Sequence, residues 1–212
     1  MPEKEAEINK EFWYHLPELF FALRLLTQTF IMTNTNKTEA DYIAEEADTP
    51  LYEVFKLQVQ HIYDAEKQLI ESFPVIMDAA TNQDLREQLQ DHFNQTGKHV
   101  TRLEEIFGIM GIKTQEKKCE AMKELVAEIR MVIKETELGS STRDAALIME
   151  AQKIEHYEIA TYGGLVQFAT SMGFETITSL LDQTLQEEKD SDILLSDIAD
   201  KKVNWLAETE AK

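Results

Sequence analysis

Five side chains able to bind metal stand on helical positions that packing would otherwise fill with hydrocarbon: Glu66, His99, Glu155, Glu188 and Asp192. Glu66 lies a turn from Ile62 and Leu69, and His99 shares a stripe with Leu89, His92, Thr96 and Leu103. Glu155 stands between Ile148 and Tyr162, and Glu188 and Asp192 lie between Leu185 and Leu195. Any one such carboxylate is ordinarily found at a bundle end or beside a lysine. Interruptions at comparable heights on four helices suggest a joint purpose, because unpaired carboxylates buried together cost several kcal/mol each unless protonated or joined by a cation. Carboxylates and imidazoles aimed inward from four helices are what a dinuclear metal site requires. Hard oxygen ligands with an imidazole favour iron or manganese. The usual spacing is Glu-x-x-His on two helices. Here Gln95 and His99, and Glu188 and Asp192, are four apart, which still puts each pair on one helix face.

The elements that must position these residues follow from the periodicity. Thr49-Pro50 is a helix start, with Thr49 able to cap and Pro50 at the first helical position. From Leu51 to about Ser72, the residues Phe55, Val59, Ile62, Glu66, Leu69 and Phe73 form one stripe, with Pro74 expected to end or kink the helix. A second long helix is expected over 82–110, a shorter one over 118–137, and two further long ones over 143–172 and 175–206. No segment alternates with period two. The expected fold class is all-α: a four-helix bundle with a fifth, crossover helix and an N-terminal helical extension. Residues 1–48 are read as that extension and its linker, 49–207 as the bundle and 208–212 as a tail. Glu39–Ala47 is read as a short acidic turn of helix just before the boundary.

The chain of 212 residues carries 21 Lys and Arg against 40 Asp and Glu, a net charge of −19 that argues against nucleic acid and anionic membrane surfaces as partners. A single cysteine cannot form an internal disulfide, and this suits a cytoplasmic protein. The segment from Glu11 to Met32 is strongly apolar, but Pro17, Glu18, Arg24 and Gln28 interrupt it. A helix packed on the bundle or on a partner is preferred over an interfacial membrane helix, and a membrane span is the weakest reading.

Several further residues have two readings. His92 is taken as a core or supporting histidine two turns from His99. Glu158, three positions after Glu155, is a further ligand or a solvated carboxylate. His61 and His156 lie just off their stripes. Tyr63 and Tyr162 either donate hydrogen bonds to carboxylates or fill core. Cys119 opens the short helix and has no histidine beside it to make a nucleophile pair.

Ile62-Tyr-Asp-Ala-Glu-Lys-Gln-Leu69, Lys118-Cys-Glu-Ala-Met122, Arg143-Asp-Ala-Ala-Leu-Ile148, Ala151-Gln-Lys-Ile-Glu-His-Tyr-Glu-Ile-Ala160 and Thr184-Leu-Gln-Glu-Glu-Lys189 occur in that order. Over about residues 51–205 the chain thereby resembles the YciE/YciF family of bacterial ferritin-like proteins. The resemblance implies a ferritin-like bundle, a homodimer and an association with stress responses. It also matches Glu66, Glu155 and Glu188 to family glutamates suited to metal, and Asp192 to a family aspartate. The chain departs from the family at Asn94-Gln95-Thr96, where members generally read Glu-Glu-Thr. One carboxylate is thereby lost, leaving Gln95 a neutral oxygen and His99 a nitrogen for a single-metal or weakened site. Two hypotheses stay open. One is a stress-associated protein binding iron or manganese, with oxygen- or peroxide-linked metal oxidation. The other is a metal-free structural or partner-binding protein that has lost the site.

Overall fold

A computed structural model describes residues 37–210, and they form helices joined by short turns. In chain order these are α1 (Glu39–Glu46), α2 (Pro50–Ala79), α3 (Gln83–Ile109), α4 (Glu120–Glu135), α5 (Ser141–Ser171), α6 (Glu175–Ile198), a π-helical turn (Ala199–Val203) and α7 (Asn204–Thr209). Helices α2, α3, α5 and α6 pack as the expected bundle, and α4 crosses against α2 and α5. The expected N-terminal helix over Glu11–Met32 lies outside the described residues. No described helix is long and apolar enough to cross a membrane.

Helix starts are written locally. Thr49, Asn82 and Ser140 each accept a hydrogen bond from the backbone N–H three residues on, and Cys119 Sγ does the same for Met122. Helix α6 has no such residue, because Phe174 precedes it. Its free N–H groups at Thr176 and Ile177 are instead taken by the Glu39 carboxylate of α1, at 3.1 Å each. Ile43 is buried, and Tyr42 packs where Gly173, at φ 76°, has no side chain. Helix α1 therefore packs within the compact unit that starts at Glu39. At the other end, Glu210 accepts from Ser141 N and Thr142 N at the start of α5, tying down part of the expected tail.

Pro74 neither ends α2 nor shortens it: the helix continues for five residues, burying Ile76 and Ala79. Proline removes one backbone donor, and the packing on both sides of it outweighs that loss. The hairpin between α2 and α3 is pinned by Asp144 of α5, whose two oxygens accept from Thr81 N and Asn82 N at 2.7 and 2.8 Å. All six stripe residues of α2 are buried, and so are Leu89, His92, Thr96, His99 and Leu103 on α3. The stripe on α5 is broader than periodicity suggested: Leu147, Ala151, Ile154, Glu158 and Leu165 are buried as well, because α2, α4 and α6 all pack on this helix.

Candidate metal centre

Midway along the bundle, six polar side chains converge from four helices. Glu66 comes from α2, His92 and His99 from α3, Glu155 and Glu158 from α5, and Glu188 from α6, each less than 5% exposed. They form two groups whose donor atoms lie within 4.8 Å of one another: Glu66, His99 and Glu188 in one, and His92, Glu155, Glu158 and Glu188 in the other. Glu188 belongs to both. Helical spacing accounts for the convergence, since His92 and His99 are seven residues apart, and Glu155 and Glu158 three.

The polar atoms of this centre are conspicuously unsatisfied. Among the described residues ten buried side-chain nitrogen and oxygen atoms lack a hydrogen-bond partner, and all but Thr178 Oγ1 belong to these six residues. Both oxygens of Glu158, both of Glu188 and both nitrogens of His92 are among them. Native interiors leave few such atoms unpaired, and each one costs roughly 1–3 kcal/mol or more when charged. A concentration of nine in one place is a set of donor atoms lacking an acceptor of their electron pairs.

The charges are arranged around His99. Its Nε2 lies 2.9 Å from Glu187 Oε2, and Arg102 clamps that carboxylate from outside with both its terminal nitrogens, at 2.5 and 2.8 Å. The Nε2 proton thus points outward to Glu187, and Nδ1 faces inward, 3.0 Å from Glu188 Oε1 and 3.5 Å from Glu66 Oε1. A carboxylate holding the far nitrogen of a histidine is the usual support of a metal-binding imidazole. Burial alone would lower the His99 pKa, but Glu66, Glu187 and Glu188 outweigh it and push it up to about 12. Glu187 is held down to about 2 by Arg102 and His99. Glu188, despite its burial, is held below the usual carboxylate range by His99 and His92. Burial and the neighbouring Glu188 raise Glu155 and Glu158 well above it. Without a metal, then, the surroundings favour the protonated form of His99 and bias Glu155 and Glu158 toward theirs.

Outer contacts orient the ligands. Tyr162 Oη donates to Glu66 Oε1, and Ser191 Oγ donates to Glu155 Oε1 at 2.9 Å. The His92 ring has no hydrogen bond and is held by packing, edge-to-face on Phe73 with centroids 5.5 Å apart.

Of the five residues singled out in the sequence, Glu66, His99, Glu155 and Glu188 stand together. Asp192 does not join them: it is half-buried, accepts from Gln152 Nε2 at 3.1 Å and lies 3.4 Å from His156 Nδ1. Ser191, one position earlier, takes the inward place on α6. Gln95 is half-buried, and Asn94 is exposed. His92 and Glu158, each given a secondary role, face the centre directly. The signal for His92 was its place on the stripe two turns from His99. For Glu158 it was the three-residue step from Glu155. The donor set is therefore four carboxylates and two imidazoles, the same inventory as the Glu, Glu, Glu-x-x-His, Glu-x-x-His pattern but dealt differently: both histidines on α3 and two glutamates on α5.

Residues 50–208 match a family model described as a domain of unknown function, DUF892. Protein YciF of Escherichia coli K12 is 39% identical over 160 residues, covering 75% of this chain and 96% of YciF. The crystal structure of the E. coli stress protein YciF superposes with a TM-score of 0.70 at 37% identity, covering 74% of this chain and 98% of that one. YcfI of Rhodopseudomonas palustris gives 0.67 at 32% identity, covering 70% and 94%. A protein of Xanthomonas campestris shares the fold at 18% identity, with a TM-score of 0.58 over 74% and 95% of the two chains.

Proposed function

This chain belongs to the DUF892 family, the family of YciF, and we propose that it is a metal-binding bundle whose inner centre holds two ions. The observation that carries this reading is the cluster of nine unpartnered buried donor atoms on six residues of four helices. Glu66, His99 and Glu188 hold one ion. His92, Glu155, Glu158 and Glu188 hold the other, with Glu188 shared. All-oxygen-and-imidazole ligation favours iron or manganese over thiolate-seeking metals. Such a pair supplies one-electron chemistry toward oxygen or peroxide. The chain's own part is to fix the ligands: Glu187 and Arg102 orient His99, Tyr162 orients Glu66, and Ser191 orients Glu155. A stress-associated role in the cytoplasm is the wider setting we infer. It is supported by likeness to the E. coli stress protein and by a lone cysteine that is buried and free.

Elemental analysis of protein purified without chelator, and again after reconstitution with ferrous iron or manganese, tests the reading. The expected result is about two ions per chain. Glu66→Gln should lower the content by about one ion, whereas Glu188→Gln, at the shared position, should lower it by about two. Absence of bound metal after reconstitution with either ion would leave the metal-free structural protein in its place.

A further inference from the structure

The two halves of the centre are finished differently. On one side Tyr162 donates to Glu66 Oε1, and Glu187, clamped by Arg102, meets His99 Nε2. On the other side, His92 and Glu155 border a cavity of about 20 Å³. Its walls are Leu69 and Phe73 of α2, Leu89 of α3, Ile129 of α4, Ile154 of α5 and Leu195 of α6. All six are at most 4% exposed. The cavity thus draws a wall from each long helix and a further one from the crossover helix, which belongs to no ligand group.

Its polar lining is largely spent. Gln88 Nε2 donates to Ser191 Oγ at 3.2 Å, and Ser191 Oγ donates on to Glu155 Oε1. Gln88 is half-buried while Ser191 and Glu155 are buried, so this chain runs along one edge of the cavity from near the surface to the centre. What remains available is hydrocarbon, with the two nitrogens of His92 and one oxygen of Glu155 at the inner end. The space exceeds the ~10–15 Å³ that one water requires, but its polar atoms are confined to the inner end, and space walled by hydrocarbon accepts xenon or small hydrocarbons.

We propose that this cavity is a binding site for one small, uncharged, apolar molecule of the size of dioxygen, seated against His92 and Glu155. Its relevance to chemistry rests on the metal reading above, but its existence does not, and the test separates the two. Crystals of the full chain pressurised with xenon should show a xenon peak bounded by Phe73, Ile129 and Leu195. Ala151 also lines the cavity, so Ala151→Leu and Ile129→Phe fill it from two different helices. Each is expected to abolish the peak while the protein still crystallises as a bundle. The proposal is overturned by ordered water in place of xenon in the unsubstituted protein, by no peak there at all, or by a peak that persists in either folded variant. Any of these can occur with two metals bound, and a xenon site can be found in a protein that binds none.

Discussion

Glu187 and Glu188 are neighbours in sequence with opposite duties. Glu188 points inward, fully buried, and is common to both donor groups, whereas Glu187 is part-exposed and holds the outer nitrogen of His99 under the Arg102 clamp. Metal affinity should therefore depend on a residue that touches no metal. Glu187→Ala removes the acceptor that fixes which His99 nitrogen carries the proton, and losses of about 10–100-fold are usual for such supports. Glu187→Gln, which keeps an oxygen but not the charge, should fall between. Competition against a chromogenic chelator gives the affinities directly, and equal values for Glu187→Ala and the unsubstituted protein would refute this role. Gln95→Ala is the matched comparison and is expected to leave affinity unchanged if the six clustered residues suffice as ligands. The sequence made Gln95 look like the weak point, since it stands where relatives carry a carboxylate. In the structure Glu158 and His92 bring a further carboxylate and a second imidazole to the two groups.

The helices explain which ligands could be read in advance. On α2 and α3 the stripes that carry Glu66 and His99 are buried throughout, so both residues are legible from spacing, as is the four-helix layout itself. Helix α5 buries a face wider than the stripe through Ile148, Glu155 and Tyr162, because α2, α4 and α6 all pack on it, and apolar periodicity cannot say which carboxylate on that face points to the centre. Glu155 was found because it interrupts the stripe, and Glu158 was underrated because it lay beside the face assumed to be buried. On α6 the steps of three and four from Glu188 lead to Ser191 and Asp192, and sequence offers no way to choose between them; packing against α5 selects Ser191. The reach of α1 was equally hidden, since a cap supplied from 137 residues away leaves no local signature. That contact makes its own prediction. Glu39→Ala leaves two N–H groups of α6 to solvent and removes a carboxylate from a helix N-terminus, costing about 1 kcal/mol. For a domain of this size that is a fall of roughly 2–4 °C in Tm. Gly173→Ala should cost at least as much, because φ 76° is unfavourable for any side chain and the new Cβ would lie 3.3 Å from the Tyr42 ring. Thermal denaturation measures both, and an unchanged Tm in both would mean that α1 contributes nothing to the bundle.

For the whole molecule, a net charge of −19 surrounds a centre that itself gathers four carboxylates, so protons and metal ions compete for the same interior. In the metal-free protein the folded state keeps protons that the unfolded chain releases. His99 holds its proton up to about pH 12 against 6.5 when unfolded, so its contribution is full below about 6.5 and lost as pH rises toward 12. Glu155 and Glu158 are raised above 4.5, and their contribution likewise is present below that value and lost as pH rises. Glu187 has the opposite sign, but its contribution is lost only as pH falls from 4.5 through about 2. Between pH 5 and 9 the raised groups therefore govern, and metal-free stability should decline by up to about 1.4 kcal/mol per pH unit for each extra proton the folded state retains. Replacing both Glu155 and Glu158 by Gln should flatten that decline, since neither position can then lose a proton. Bound metal reverses the dependence: it takes the place of the protons, its affinity grows as they leave, and at about a hundred times Kd it adds roughly 2.7 kcal/mol. The gap in Tm between metal-saturated and chelator-treated protein should accordingly widen from pH 5.5 to pH 8 (about the range a buffer series spans without acid unfolding). A gap that stays constant across that series would mean that the ions bind somewhere other than among these carboxylates and imidazoles.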